Sequence, residues 1–174
     1  MSEKAVNFEE IVDRNSEPYR ILNEMRRYHH DIDNARIALA WRINLKVDKD
    51  GHLILGKCVK VSDLQKEFAD YDFIILLNRE VWEDGEFTEE KKRALIDHEL
   101  CHAAVSEDDD GPRQDDRGRP VFRCRKHDIE EFHAIVQRHG TYKRDLEIFA
   151  EALLKKKRQP LFEDIDQTEY AVRQ

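Results

Sequence analysis

The hydrophobic residues of the chain recur at two spacings, one typical of helices and the other of strands. Helical spacing predicts four helices, over residues 17–40, 89–105, 128–140 and 143–157. Alternating or continuous apolar positions predict three strands, over residues 41–45, 53–61 and 72–78. Because these helices and short strands do not alternate as βαβ units, the pattern predicts an α+β fold with a small, mostly antiparallel sheet.

The length of the chain, 174 residues, predicts a single domain. Its core is expected over about residues 17–157, between a short N-terminal arm and a C-terminal tail beyond Pro160 that is loosely held. Hydrophobic residues make up 40% of the chain and include two Trp and eight Phe. This content is sufficient for a packed core, although 39% of the residues are charged.

The net charge of the chain is −8, because 38 Asp and Glu outnumber 30 Lys and Arg. This balance argues against a protein whose whole surface binds nucleic acid. The basic segment 26–30 could contact phosphates, but such a run is more typical of a solvated helix face. The sequence has neither a membrane-spanning apolar run nor a secretory signal at its N-terminus. With three widely spaced cysteines and no CxxC pair, it predicts a cytoplasmic protein without a membrane partner.

Residues 98–102 read His-Glu-Leu-Cys-His, which is the HExxH pattern of many zinc enzymes. On a helix, His98 and His102 lie one turn apart on the same face, so their imidazoles can converge on one tetrahedral Zn²⁺. Glu99 lies about 100° around the helix, beside the open position of such a metal. There it could act as the catalytic base, because the pKa of a zinc-bound water falls to near ~7.

The residues around this motif predict a buried helix, since most of them are apolar. They are Leu95, Ile96, Leu100, Ala103, Ala104 and Val105. Three ionisable groups in a buried helix are unfavourable without a partner, and a metal is the simplest one. The alternative is that His98 and His102 are core histidines satisfied by hydrogen bonds, and the motif in this context favours the metal.

A catalytic zinc needs a third protein ligand and an open fourth position. His127 is the best candidate, because it directly precedes the helix predicted over 128–140. The start of a helix has a fixed geometry, which can direct the His127 side chain towards the other two ligands. His133 lies about one and a half turns further along and is more often a surface group. Cys124 forms a C-x-x-H pattern with His127 and could also ligate zinc, although a small buried cysteine is more typical. An acidic residue near His127 is a further alternative.

Three segments together resemble the putative phage metallopeptidase family, which is similar to SprT-like and other minimal zincins. They are Tyr71-Asp-Phe-Ile-Ile, Arg93-Ala-Leu-Ile-Asp-His-Glu-Leu-Cys-His102 and His127-Asp-Ile-Glu-Glu-Phe132. The similarity covers roughly residues 36–155. It implies a minimal zincin-like fold, zinc held by His98, His102 and His127, Glu99 as the catalytic base, and a phage or prophage origin. The long acidic loop between His102 and His127 departs from the pattern of typical zincins.

The sequence therefore predicts a zinc-dependent metallopeptidase that hydrolyses a peptide or protein substrate. Zinc would polarise the scissile carbonyl, while Glu99 would activate water and protonate the leaving amine. An extended substrate is expected to pair with an exposed strand edge, for example that of residues 73–77. The alternative is a zinc-stabilised binding protein that acts on a host protein or DNA without turnover. A fourth protein ligand such as Cys124 would favour this alternative.

Overall fold

A computed structural model of the chain describes residues 6–45, 47, 49 and 51–158, and of residues 157 and 158 only the backbone. The chain divides into two compact units, residues 1–126 and residues 127–174. The predicted tail beyond Pro160 lies outside the described residues. A single domain for the whole chain stays a prediction.

The first unit is built on a four-stranded sheet with both antiparallel and parallel pairs. Its strands are β1 (Asn7–Glu10), β2 (Ile37–Ile43), β3 (Gly56–Lys60) and β4 (Phe73–Asn78), in the order β1-β2-β4-β3. β1 and β2 are antiparallel, as are β3 and β4, whereas β2 and β4 run parallel. β4 lies in the interior of the sheet, and its side chains Phe73, Ile75 and Leu77 are completely buried.

Helices and two short strand pairs complete the described part of the first unit. The helices are α1 (Glu17–Met25), α2 (Asp63–Lys66), α3 (Arg79–Trp82) and α4 (Glu89–His102), and two 3₁₀ turns, Arg26–Tyr28 and His30–Ile32, follow α1. The short antiparallel pairs join β5 (Ala103–Val105) to β8 (Phe122–Cys124), and β6 (Glu107–Asp108) to β7 (Gly111–Pro112). A small sheet accompanied by several helices confirms the predicted α+β class.

The predicted helix over residues 17–40 is wrong beyond Met25, where α1 ends. The guanidinium of Arg26 donates hydrogen bonds at 2.8–3.3 Å to three backbone carbonyl oxygens, those of Ile32, Asp33 and Ala35. These bonds satisfy acceptors that a continuous helix would have used, so they stabilise the irregular turn. The chain then enters β2. Parallel pairing with β4 stabilises this strand, although its apolar residues recur at helical spacing.

The other strands in the sheet differ from their predictions mainly at the ends. β2 begins before the strand predicted over 41–45 and ends at Ile43. β3 is shorter than the strand predicted over 53–61, because pairing with β4 starts only at Gly56. β4 agrees closely with the strand predicted over 72–78, since a continuous apolar run suits a strand in the interior of a sheet.

The helix that holds the HExxH motif is shorter and more exposed than predicted. It ends at His102, because the next three residues pair with β8 as strand β5. Its inner side chains Ile96 and Leu100 are completely buried in the hydrophobic core of the first unit. His98 and Cys101 are exposed, so the expectation that the whole helix is buried is wrong.

The second unit contains two described helices, α5 (His133–His139) and α6 (Arg144–Arg158). α5 begins five residues after the start predicted at 128, and the Glu131 carboxylate does not cap it. Glu131 instead accepts hydrogen bonds from the Tyr142 hydroxyl, the Phe132 amide and the Lys143 ammonium, which together lower its pKa to about 2. α5 ends before Gly140, as predicted, because Gly140 adopts a φ of 66° that favours glycine.

Candidate metal centre

α4 begins at a capped N-terminus and is fixed along one side by α1. The Thr88 hydroxyl accepts a hydrogen bond from the Lys91 amide and so caps the helix. Lys92 forms an ion pair of 3.0 Å with Glu17 of α1, and Arg93 forms one of 3.2 Å with Glu24. These contacts, together with the buried Ile96 and Leu100, fix the rotation of α4 about its axis and therefore the direction of the motif side chains.

The two motif histidines of α4 converge. The Nε2 atoms of His98 and His102 are 3.3 Å apart, and their ring planes are nearly perpendicular, at 85°. Nδ1 of His102 lies 2.7 Å from the backbone carbonyl oxygen of Arg125. Because a carbonyl oxygen can only accept, Nδ1 of His102 donates this hydrogen bond. In the neutral imidazole the lone pair is then on Nε2, the atom that faces His98.

The spacing of this pair fits a tetrahedral metal ion. Two imidazole nitrogens that each lie about 2.0–2.1 Å from a tetrahedral Zn²⁺ are separated by roughly 3.3 Å. The observed separation of the Nε2 atoms, 3.3 Å, matches that edge. The bond from His102 to the Arg125 carbonyl is also the usual outer contact of a ligating histidine, since it fixes both the tautomer and the ring orientation.

The carboxylate of Glu99 is buried beside the two histidines. Glu99 is 3% exposed, and the backbone amide of Cys58 in β3 donates a hydrogen bond to its carboxylate. Its Oε2 is buried, and none of the described residues donates a hydrogen bond to it. Burial raises the pKa of Glu99, while the Cys58 amide and His102 act to lower it. A buried oxygen without a protein donor is available to a water molecule or to a substrate group.

Gly56 provides the space in which the Glu99 carboxylate lies. A Cβ atom at position 56 would lie 2.6 Å from Oε1 of Glu99 and 3.1 Å from its Cγ and Cδ atoms. Any residue other than glycine would therefore displace the carboxylate. The hydrophobic pattern of the sequence does not reveal this role, although a glycine in a strand is one signal of a close approach by another group.

A cleft of about 560 Å³ opens beside His98 and Glu99. Its lining is largely apolar and comprises Ile54, Leu55, Phe87, Ala94 and Leu95, with Lys91 adding a positive charge. The segment that precedes β3 forms one wall and is tied to the sheet by Asn78. The amide of Asn78 donates to the Leu55 carbonyl at 2.8 Å, and its side-chain Nδ2 donates to the Ile54 carbonyl at 3.2 Å.

The predicted pairing of a substrate with residues 73–77 is wrong, because β4 is hydrogen-bonded to a strand on each side. β3 is the last strand of the sheet, and it lies next to α4. Its Cys58 amide donates to Glu99 and not to β4. The strand beside the candidate site is therefore β3, which sequence patterning could not distinguish from β4 before the strand order was known.

The other candidate ligands, Cys124, His127 and His133, lie between the end of β8 and the start of α5. Arg125, whose backbone amide donates to the His102 carbonyl at 2.7 Å, precedes the last residue of the first unit. His127 is the first residue of the second unit and is exposed. Cys124 lies at the end of β8, and its sulfur is 4.0 Å from the carbonyl oxygen of Cys58. His133 is the first residue of α5.

A helix that presents two convergent imidazoles beside a buried carboxylate is typical of metal-dependent hydrolases. A family model described as putative phage metallopeptidase matches residues 10–156, and the chain therefore belongs to that family. This membership implies a metal, which the histidines of the chain could bind. Neither the comparison with curated proteins nor that with solved structures found a match. Within the described part of the chain, no helix is both long and apolar enough to cross a membrane.

Proposed function

We propose that this protein is a zinc-dependent peptidase with a minimal zincin-like fold, encoded by a phage or prophage and active in the host cytoplasm. The observation that supports it best is the 3.3 Å approach of the His98 and His102 Nε2 atoms beside the buried Glu99 carboxylate. Two imidazoles at this spacing can supply two of the four ligands of a tetrahedral zinc site. The absence of a CxxC pair among three widely spaced cysteines suits a reducing compartment.

His98, His102 and His127 are the proposed metal ligands. For His127 the support is its position in the motif that resembles the family and the path of the chain just before it. Arg125 forms two hydrogen bonds with His102, one from its amide and one to its carbonyl. Since consecutive Cα atoms are 3.8 Å apart, the Cα of His127 lies within about 7.6 Å of the Cα of Arg125. The covalent chain thus limits how far His127 can lie from this anchored residue.

In the proposed reaction, a bound Zn²⁺ supplies Lewis acidity, which polarises a carbonyl and lowers the pKa of water. Oε2 of Glu99 accepts the proton of the attacking water and later donates it to the leaving amine. Burial raises the pKa of Glu99, which makes its carboxylate a stronger base for the first step, and the proton it takes up is then available for the second. The Cys58 amide and the space at Gly56 keep the carboxylate in one position.

The cleft between α4 and residues 54–56 is the proposed binding site for the substrate. Its apolar walls suit an apolar side chain next to the scissile bond, since such a side chain loses contact with water there. Asn78 fixes the carbonyl groups of Ile54 and Leu55, so this wall is already formed before a substrate binds. The substrate backbone would follow β3, the strand that borders the site.

The proposed activity can be tested by digesting a mixed peptide library with the zinc-loaded protein and identifying the products by mass spectrometry. We expect cleavage at bonds flanked by an apolar residue on one side, because the cleft is lined by apolar side chains. No cleavage above a chelator-treated control would contradict the peptidase proposal. Cleavage without any preference for apolar residues would contradict the role of the cleft alone.

Gly56→Ala is expected to reduce hydrolysis by about 10²-fold, since the new Cβ displaces the Glu99 carboxylate and a shift of about 1 Å can cost that much. The obstructing atom is the end of a flexible side chain, so the fold and the zinc content should persist. Steady-state kinetics, metal analysis and thermal unfolding measure these three properties. Gly85→Ala is the matched control, because a Cβ there meets nothing within 4 Å. Equal activity of both variants would show that the position of Glu99 does not depend on Gly56.

A further inference from the structure

A second group of metal-ligating side chains lies on α4, one residue before each motif histidine. Asp97 and Cys101 precede His98 and His102, so they too are one turn apart and share a face. That face is rotated by about 100° from the face of the histidines. Asp97 and Cys101 are therefore separate from the proposed catalytic ligands, although they belong to the same helix.

His29 brings a third donor to this face from a distant part of the chain. It lies between the two 3₁₀ turns that follow α1, and its Nε2 is 2.7 Å from Oδ1 of Asp97. The side chain of His29 is only 11% exposed, whereas that of Asp97 is 45% exposed. The backbone around His29 is fixed by the buried Ile32 and by the bonds from Arg26 to the turn carbonyls. The imidazole is thus held against α4 by the fold of the first unit.

We propose that His29, Asp97 and Cys101 form a second metal site, which takes a divalent cation that prefers nitrogen and sulfur, Zn²⁺ above all. One nitrogen, one carboxylate oxygen and one sulfur of these residues lie within 4.8 Å of one another. Ligand atoms around a tetrahedral zinc are separated by roughly 3.3–3.7 Å. The 2.7 Å between His29 and Asp97 is shorter than this spacing, so Asp97 would move slightly away from His29 while Cys101 turns toward both. Both movements are small side-chain rotations, since Asp97 is partly exposed and Cys101 is exposed.

The donor set determines which ions can bind. A thiolate and an imidazole favour Zn²⁺ and its analogues Co²⁺ and Cd²⁺, whereas Mg²⁺ and Ca²⁺ prefer oxygen ligands alone. The fourth position would be occupied by water. Because His29 is 68 residues from Asp97 in sequence, a bound metal would link the segment after α1 to the helix of the HExxH motif. The bound metal would therefore stabilise the position of α4, the helix that carries the proposed active site, and would take no part in hydrolysis.

Cobalt titration tests this proposal, because Cys101 gives the second site a thiolate that the three proposed histidine ligands lack. The metal-free double variant His98→Ala/His102→Ala, kept reduced with a phosphine, is titrated with Co²⁺ and its near-ultraviolet absorption is recorded. We expect a thiolate-to-cobalt charge-transfer band that saturates at about one Co²⁺ per chain. Adding Cys101→Ser should abolish the band, and adding His29→Gln should weaken binding at least tenfold.

Cys124→Ser in the same background is the matched control, because Cys124 is an exposed cysteine that contacts Cys58 and not this group. The band should persist in it. The absence of a band in the double variant, its persistence after Cys101→Ser, or its loss after Cys124→Ser would each overturn the proposal. Far-ultraviolet circular dichroism checks that every variant is folded. The readout requires no hydrolysis, so a failure of the second site is distinguishable from a failure of the peptidase proposal.

Discussion

Glu99→Gln is expected to abolish peptide hydrolysis while the protein keeps its fold and its zinc. Glutamine has nearly the same size and can still accept a hydrogen bond from the Cys58 amide, but it cannot take a proton from water. General base catalysis contributes about 10²–10⁴-fold, and the same carboxylate is also the proposed acid, so the loss should reach several powers of ten. Steady-state kinetics with a peptide from the library, together with metal analysis, measures the effect.

Glu90→Gln is the matched control for this prediction. It makes the same chemical change in the first turn of the same helix, at an exposed position about two turns before His98. Its activity should equal that of the unmodified protein. If Glu99→Gln also retained full activity, hydrolysis could not depend on this carboxylate. A biological effect that survived Glu99→Gln undiminished would instead favour the binding-protein alternative, in which zinc only supports the structure.

Substitution of any one of the three proposed ligands by alanine should remove about one equivalent of zinc per chain, because two protein ligands hold a catalytic zinc far more weakly than three. The variants are His98→Ala, His102→Ala and His127→Ala. For His102 the loss is reinforced, since its removal also breaks the contact with the Arg125 carbonyl. Metal analysis after dialysis against a weak chelator measures the zinc content.

His133→Ala separates the proposed third ligand from its nearest sequence alternative. His133 begins α5, and its replacement should leave the zinc content unchanged. If His133→Ala lost zinc while His127→Ala kept it, the third ligand would lie further along the chain and the residue taken over from the family motif would be incorrect. Unchanged zinc in both His98→Ala and His102→Ala would contradict the two motif histidines as metal ligands.

The sequence predicted most accurately the elements that are decided by neighbouring residues. The continuous apolar run at 72–78 predicted the position of β4, and the helical spacing that begins at residue 89 predicted the start of α4. The helix predicted over residues 26–40 is wrong, because apolar residues recur there at helical spacing although the chain forms no long helix. There the Arg26 side chain and the parallel pairing with β4 determined the backbone, and neither leaves a periodic signal.

The sequence by itself determined the chemistry of the motif, because two histidines four residues apart must share a helix face wherever a helix forms. It also determined the family, whose model matches residues 10–156. Only the tertiary structure decided what surrounds the motif. It placed Gly56 and Cys58 against Glu99, the Arg125 carbonyl against His102, and His29 against Asp97. The residues that these contacts join are 23 to 68 positions apart in the sequence. Hydrophobic spacing reports only which side of an element faces the core, so it cannot specify which distant backbone meets that side.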